Sequence, residues 1–178
     1  MLRKISAMAS MLLLLGGFAW AESLEVEVNR GALISNADSS DLRLLMLFAL
    51  PQELNSAKIY FAELRVPITS VIPDSSALTI YCRPLLMSWV PDDVRWDDID
   101  DRPSPSVVSR RGTHFGTSRI GPQTASFDIT PIFRKWKDGT LANNGLIVYA
   151  NPGMLSRFDW HGERNTPFAG VHVEYQPR

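Results

Sequence analysis

The chain has 178 residues, 45% hydrophobic and 21% charged, with a formal net charge of −1. That composition excludes a disordered or collagen-like chain and offers no broad basic field for nucleic acid. A single cysteine excludes an intrachain disulfide and any zinc site built from several thiolates, and the length fits one domain able to bury a real core.

The N-terminus has the three-part layout of a secretion signal. Arg3 and Lys4 form a basic start, Met11 to Phe18 an apolar run, and Ala19-Trp20-Ala21 a small-x-small cleavage site. The run is too short for the roughly 20 residues of a membrane-spanning helix. The only cysteine, Cys82, lies far downstream of it, where no lipid anchor forms. The expected division is a signal peptide over 1–21 and one β-sandwich domain over 22–178. With the signal removed, the mature chain is expected to be mildly acidic, without a membrane span, and secreted or periplasmic.

Downstream, the pattern is mostly strand. Leu24, Val26 and Val28 alternate with polar neighbours, the period of a half-buried strand. Gly31, Asn36 and the Asp38–Asp41 cluster read as loops. Residues 42–50 are apolar on both parities apart from Arg43, which fits a central strand covered on both faces or a short helix. Residues 57–67 and 78–84 alternate again, each ending at a proline. Cys82 falls on the apolar parity of the second run and reads as a buried thiol. Val107-Val108 suits a short edge strand within an irregular stretch over 102–124, which is broken by Pro and Gly. Residues 126–129, 145–150 and 171–175 complete the set. Many short strands punctuated by Pro and Gly predict an all-β sandwich or barrel.

One segment is helical. Ile129, Ile132, Phe133 and Trp136 fall on one helix face. Thr130 suits the N-cap, Pro131 the first turn, and Asp138-Gly139 the stop. At about two turns it is too short to stand alone, so its apolar face, Trp136 included, must plug the end of the sandwich.

The string SFDITPIFRKWKDGTLANNGLIV, residues 126–148, is similar to a recurring stretch in DNRLRE-type domains: a strand, a D-V-T-like turn, a short tryptophan-bearing helix, then N-x-G-L opening the next strand. Further stretches follow in matching order. They are LRLLMLFALP with SAKIYFAELRV, then LTIYCRPLLMSWVPDDVRWDDIDDRP, then RFDW with NTPFAGVHVEY. The resemblance spans residues 42–176. It departs in a shorter early turn, in Thr166 where an arginine is common, and over 104–124. What it implies is a jelly-roll-like antiparallel β-sandwich of secreted and surface bacterial proteins. A related carbohydrate-binding-module family binds acidic polysaccharide such as alginate. No catalytic machinery comes with the resemblance.

The residues suggest four chemistries. Asp92, Asp93, Asp97, Asp98, Asp100 and Asp101 form an acidic cluster. It reads either as a solvated loop paired with Arg95 and Arg102 or as a structural calcium site, with Asp92, Asp93, Asp97 and Asp98 as ligands; it lacks the glycine and closing glutamate of an EF-hand. His114, His161 and His172 form no H-E-x-x-H arrangement, and no G-x-S-x-G elbow is present. No pair of carboxylates is singled out for glycoside cleavage. Finally, Trp160 reads either as packing a loop or as a stacking platform for sugar, with Arg157, Asp159 and His161 as flanking hydrogen-bonding groups. Trp89, Trp96 and Trp136 read as core, and Tyr149 faces either side of its strand.

These readings favour a non-enzymatic, secreted polysaccharide-binding module without a required cofactor. A structural or adhesion protein of the cell envelope that binds other proteins is the alternative, and a polysaccharide-degrading enzyme a weaker one.

Overall fold

The computed structural model describes residues 20–37, 42–68, 80–99, 107–108, 123–150, 162–163, 166–167 and 169–178. Within them lie ten strands and one α-helix, in the order β1 (Glu22–Ser35), β2 (Leu42–Phe48), β3 (Lys58–Ile68), β4 (Ile80–Pro84), β5 (Val107–Val108), β6 (Gln123–Asp128), α1 (Thr130–Lys137), β7 (Leu146–Ala150), β8 (Gly162–Glu163), β9 (Thr166–Pro167) and β10 (Gly170–Gln176). Eight strands form one antiparallel sheet in the order β5-β4-β7-β2-β1-β10-β3-β6, and β8 pairs with β9. The chain is all-β with one short helix, as the sequence predicts.

The sheet folds over at β1. Residues 22–27 pair with β10, whereas residues 28–35 pair with β2. The register skips between Val28 and Arg30, so Asn29 is a β-bulge, which adds a residue to one strand and bends it. The extra residue inverts the parity of the strand. Val26 and Val28 face the main core before the bulge. Ala32 and Ile34, on the same parity in sequence, face a second apolar cluster after it. Gly31, expected in a loop, is instead buried within β1 opposite Met46. The bulge lets the chain change direction without leaving the ladder.

Two half-sheets result, one of β1 (22–27), β10, β3 and β6, the other of β1 (28–35), β2, β7, β4 and β5. They face each other across Val26, Leu44, Met46, Phe48, Leu64, Cys82, Phe127, Val148, Val171 and Val173. At the far side β5 comes against β6, so the sheet nearly closes on itself. The apolar run of β2 is explained by its place between β1 and β7, with Leu44 and Met46 in the main core and Leu45 in the second cluster.

Helix α1 finishes the edge that β6 leaves open. The β3–β6 ladder reaches Glu63↔Asp128. One step on, the Ile129 backbone N–H donates to Ala62 O at 2.9 Å, and the Ala62 N–H donates to Thr130 Oγ1 at 2.9 Å. Thr130 is therefore not the N-cap: Ile129 holds that position. Asp128 takes over the capping task, its Oδ1 accepting from the Thr130 hydroxyl at 2.6 Å and from the Thr130 N–H at 3.1 Å. Further along, Arg134 Nε and Nη2 donate to Ile59 O at 3.0 and 2.8 Å. The bare carbonyl of a strand edge is thereby occupied. Ile132, Phe133 and Trp136 are buried beneath the helix as expected. The indole N–H of Trp136 meets no acceptor among the described residues, so it acts as apolar bulk.

Gly145 opens β7 at a backbone φ of +87°. A Cβ there would lie 2.1 Å from Met46 O, inside the neighbouring strand. Gly139, just past the helix, has a φ of +70° but nothing within 4 Å. Gly145→Ala combines strain with a backbone clash and is expected to cost about 3 kcal/mol or more, or to prevent folding. Gly139→Ala incurs the left-handed strain alone, about 1–2 kcal/mol. Urea midpoints for the two variants check the ranking.

The paired ends of β1 and β10 carry a second test. Tyr175 is buried, and its hydroxyl donates to Glu22 Oε2 at 2.8 Å. Burial first, then the bond to the Glu22 carboxylate, push this phenol up to about 12. A raised folded-state value means that the contribution is complete below about pH 10, where the unfolded phenol still holds its proton, and is lost as pH rises through 12. The loss should be on the order of 2–3 kcal/mol. Chemical denaturation between pH 9 and 12 should show that decline, flattened in Tyr175→Phe.

Candidate functional site

The two half-sheets differ on their outer faces. On the first, the outward residues at its middle are charged and pair among themselves, and at its end the exposed Tyr60 lies under Lys58 Nζ, 5.1 Å from the ring centroid. Glu25 Oε1 lies 2.7 Å from His172 Nδ1 and 3.5 Å from Arg65 Nη1, and Arg65 Nε donates to Glu63 at 2.8 Å. This matches the expectation that His172 faces outward, and it reads as a solvated charge ladder.

The outer face of the second half-sheet is apolar and carries its own cover. The chain leaving β4 runs back over it as a strap, residues 85–99. Leu85, Trp89 and Ile99 bury against Ile34, Leu45 and Ile147. The strap is fastened at its start: the Leu85 N–H donates to Gly145 O at 2.9 Å, and the Trp89 indole N–H to Asn144 O at 2.8 Å. Asn143 in turn donates through Nδ2 to Phe48 O at 2.8 Å. The Asn-Asn-Gly turn is thus a hub joining β2, β7 and the strap.

At the other end of the strap, a single 3-10 turn at Trp96–Asp98 delivers Trp96 to the sheet. The guanidinium of Arg43, the one charged residue of β2, sits 3.8 Å from the centroid of that ring. Trp89 is buried, as expected of a core residue, whereas Trp96, also expected in the core, is only half-buried at the edge of the second cluster because its indole lies under the Arg43 guanidinium.

Beyond the strap the same face carries an aromatic pair. Tyr81 on β4 lies opposite Tyr149 on β7 in register, their rings stacked at 5.5 Å between centroids and 20° between planes. Both are half-buried. Arg83, two residues along β4, places its guanidinium 5.7 Å from the Tyr149 centroid. Burial raises the Tyr149 phenol above its ordinary value, with Arg83 and then Arg43 pulling it back. The hydroxyl stays protonated through neutral pH and can both donate and accept. Trp96, Arg43, Tyr149, Arg83 and Tyr81 therefore form one strip of rings and guanidinium groups, the arrangement that suits a flat, hydroxyl-bearing ligand. Tyr149, undecided in the sequence, faces this outer side. Tyr81, Arg83 and Arg43 are additions. The outward parity of Tyr81 and Arg83 is readable from the alternation with Ile80, Cys82 and Pro84, whereas that of Arg43, and the meeting of all three, depends on the β4–β7–β2 register.

Of the residues predicted from sequence, Arg157, Asp159, Trp160 and His161 lie outside the described residues. Asp92, Asp93, Asp97 and Asp98 are exposed on the strap. Asp98 is engaged in the turn, its Oδ2 accepting from the Arg95 N–H at 2.8 Å. Among the described residues, no three His, Cys, Asp or Glu side chains are grouped so as to hold a metal ion, and no helix is long and apolar enough to cross a membrane. Compared with known proteins, the chain matches no family model and no curated protein.

Trp89→Phe keeps the ring in its apolar bed but leaves Asn144 O without its donor. It should cost about 1–3 kcal/mol. Limited proteolysis should then cut the turn over residues 90–95 before global unfolding begins.

Proposed function

We propose that this chain is an exported, non-catalytic module that binds polysaccharide along the outer face of the second half-sheet. The observation that carries this reading is the stacked Tyr81–Tyr149 pair flanked by Arg83 and by Arg43 over Trp96. A sugar ring presents C–H groups to an aromatic face and hydroxyls to its surroundings. Tyrosine offers both an apolar body and a polar tip. Guanidinium groups add paired donors that match hydroxyl pairs or a uronate carboxylate.

Export is supported by the basic, apolar and small-residue succession before residue 22. It is also supported by the fold: β1 begins at Glu22, with Trp20 and Ala21 exposed and outside the ladder. The envelope-structural alternative would use an open sheet edge for strand addition. The approach of β5 to β6 gives it less to work with.

Affinity gels loaded with neutral and acidic polysaccharides test the proposal on the protein from Glu22 onward. Tyr81→Ala and Tyr149→Ala should each weaken retention about tenfold, equivalent to ~1.4 kcal/mol, with circular dichroism unchanged. Arg83→Ala should weaken retention on acidic gels more than on neutral ones. Trp160→Ala, run in parallel, reports whether the platform extends to that residue. Absence of retention on every gel, or retention indifferent to both tyrosines, overturns the proposal.

A further inference from the structure

The strand that follows the Ala19-Trp20-Ala21 site is the strand on which the whole sheet turns, and its two halves acquire partners at very different times. Residues 28–35 pair with β2, the next strand in sequence. Among the described residues, 22–27 pair only with β10, far on in the chain, in the register Glu22↔Tyr175 through Glu27↔Gly170. The first residue after the expected cut is already committed. Glu22 is in the ladder, and its carboxylate accepts the Tyr175 hydroxyl at 2.8 Å. Two residues on, Leu24 packs against the main core, followed by the buried Val26. Trp20 and Ala21, on the other side of the same peptide bond, are exposed and unpaired in the ladder.

From this we infer that docking of β10 closes the Ala21–Glu22 bond to proteolytic processing, so that removal of the N-terminal segment is confined to the interval before the C-terminal strand arrives. A processing peptidase holds its substrate as an extended chain on both sides of the scissile bond. Here the residues downstream are extended but already hydrogen-bonded to β10, so cleavage of the folded chain requires residues 22–24 to peel out of the ladder. Cleavage then follows the population of that opened state. During export the N-terminal half of β1 has no partner until residues 170–176 have crossed, because pairing of the two chain ends is the most non-local contact of the sheet. The topology itself keeps the site open for the length of translocation and shuts it afterwards.

The inference rests on the export reading, and the experiment separates the two. Full-length precursor is offered to a signal peptidase in micelles in two states: freshly diluted from denaturant, and refolded to its native circular dichroism spectrum. The expected result is cleavage of the first at Ala21–Glu22, read as a new N-terminal Glu22, and at least about tenfold slower cleavage of the second. A full-length Val173→Asp variant, which buries a charge in β10 and disables docking, should be cut at the rate of the unfolded chain whatever its own stability. Equal rates for folded and unfolded precursor, both cut after Ala21, overturn the inference and leave export intact. No cut at Ala21 in any sample overturns the export reading and the inference with it.

Discussion

The bulge at Asn29 is the constraint on which the rest of the molecule depends. It allows one strand to serve two half-sheets by adding a residue at the bend and inverting the side-chain parity beyond it. Without that inversion Ala32 and Ile34 would turn toward the main core, and the second cluster would lose the wall against which Leu85, Trp89 and Ile99 pack. The strap, the Arg43–Trp96 contact and the aromatic strip beside it all lie on the face this inversion creates. A backbone irregularity of one residue thus separates a charged outer surface from one built of rings.

The second requirement is that the free ends of the sheet be finished. On the β3 side this is done by a helix whose first residue substitutes a side-chain oxygen for the missing strand carbonyl and whose Arg134 satisfies the Ile59 carbonyl. Inside the sheet, the Asn143–Gly145 turn closes the end of the β2–β7 ladder, where Asn143 Nδ2 donates to Phe48 O and the backbone lies so close to Met46 that no side chain fits at Gly145. Each device puts a polar atom where a ladder partner would otherwise be absent, which is what a nearly closed sheet needs at its seams.

The sequence makes the fold class legible because period-two alternation survives in β3, β4 and β10, and because Ile129, Ile132, Phe133 and Trp136 mark a helix within it. The run of β2 correctly signals cover on both faces. Gly31 misleads, since glycine as punctuation and glycine within a bent strand look alike without the pairing partner. Thr130 misleads by one position because its hydroxyl is turned to the Ala62 N–H and to Asp128, whose Oδ1 accepts from the Thr130 N–H, leaving Ile129 at the cap. The candidate site was half visible. Outward parity of Tyr81 and Arg83 follows from alternation, whereas the side taken by Arg43 and the convergence of all three on Tyr149 are matters of register among strands far apart in sequence. The acidic run stands out by composition alone. In the structure Asp98 shapes the turn that seats Trp96.

Cys82 has a consequence of a different kind. Its thiol is buried in the main core, and burial pushes its ionisation far above the ordinary thiol range. Only the thiolate attacks disulfides, so in the folded protein this buried sulfur does not engage oxidants or mixed disulfides. The chain needs no oxidase to reach its native state and, once there, cannot be captured by one. Its only vulnerable moment is the unfolded one, when the same sulfur is an ordinary accessible thiol. The packing of a single β4 side chain thus sets how long the protein is exposed to covalent error.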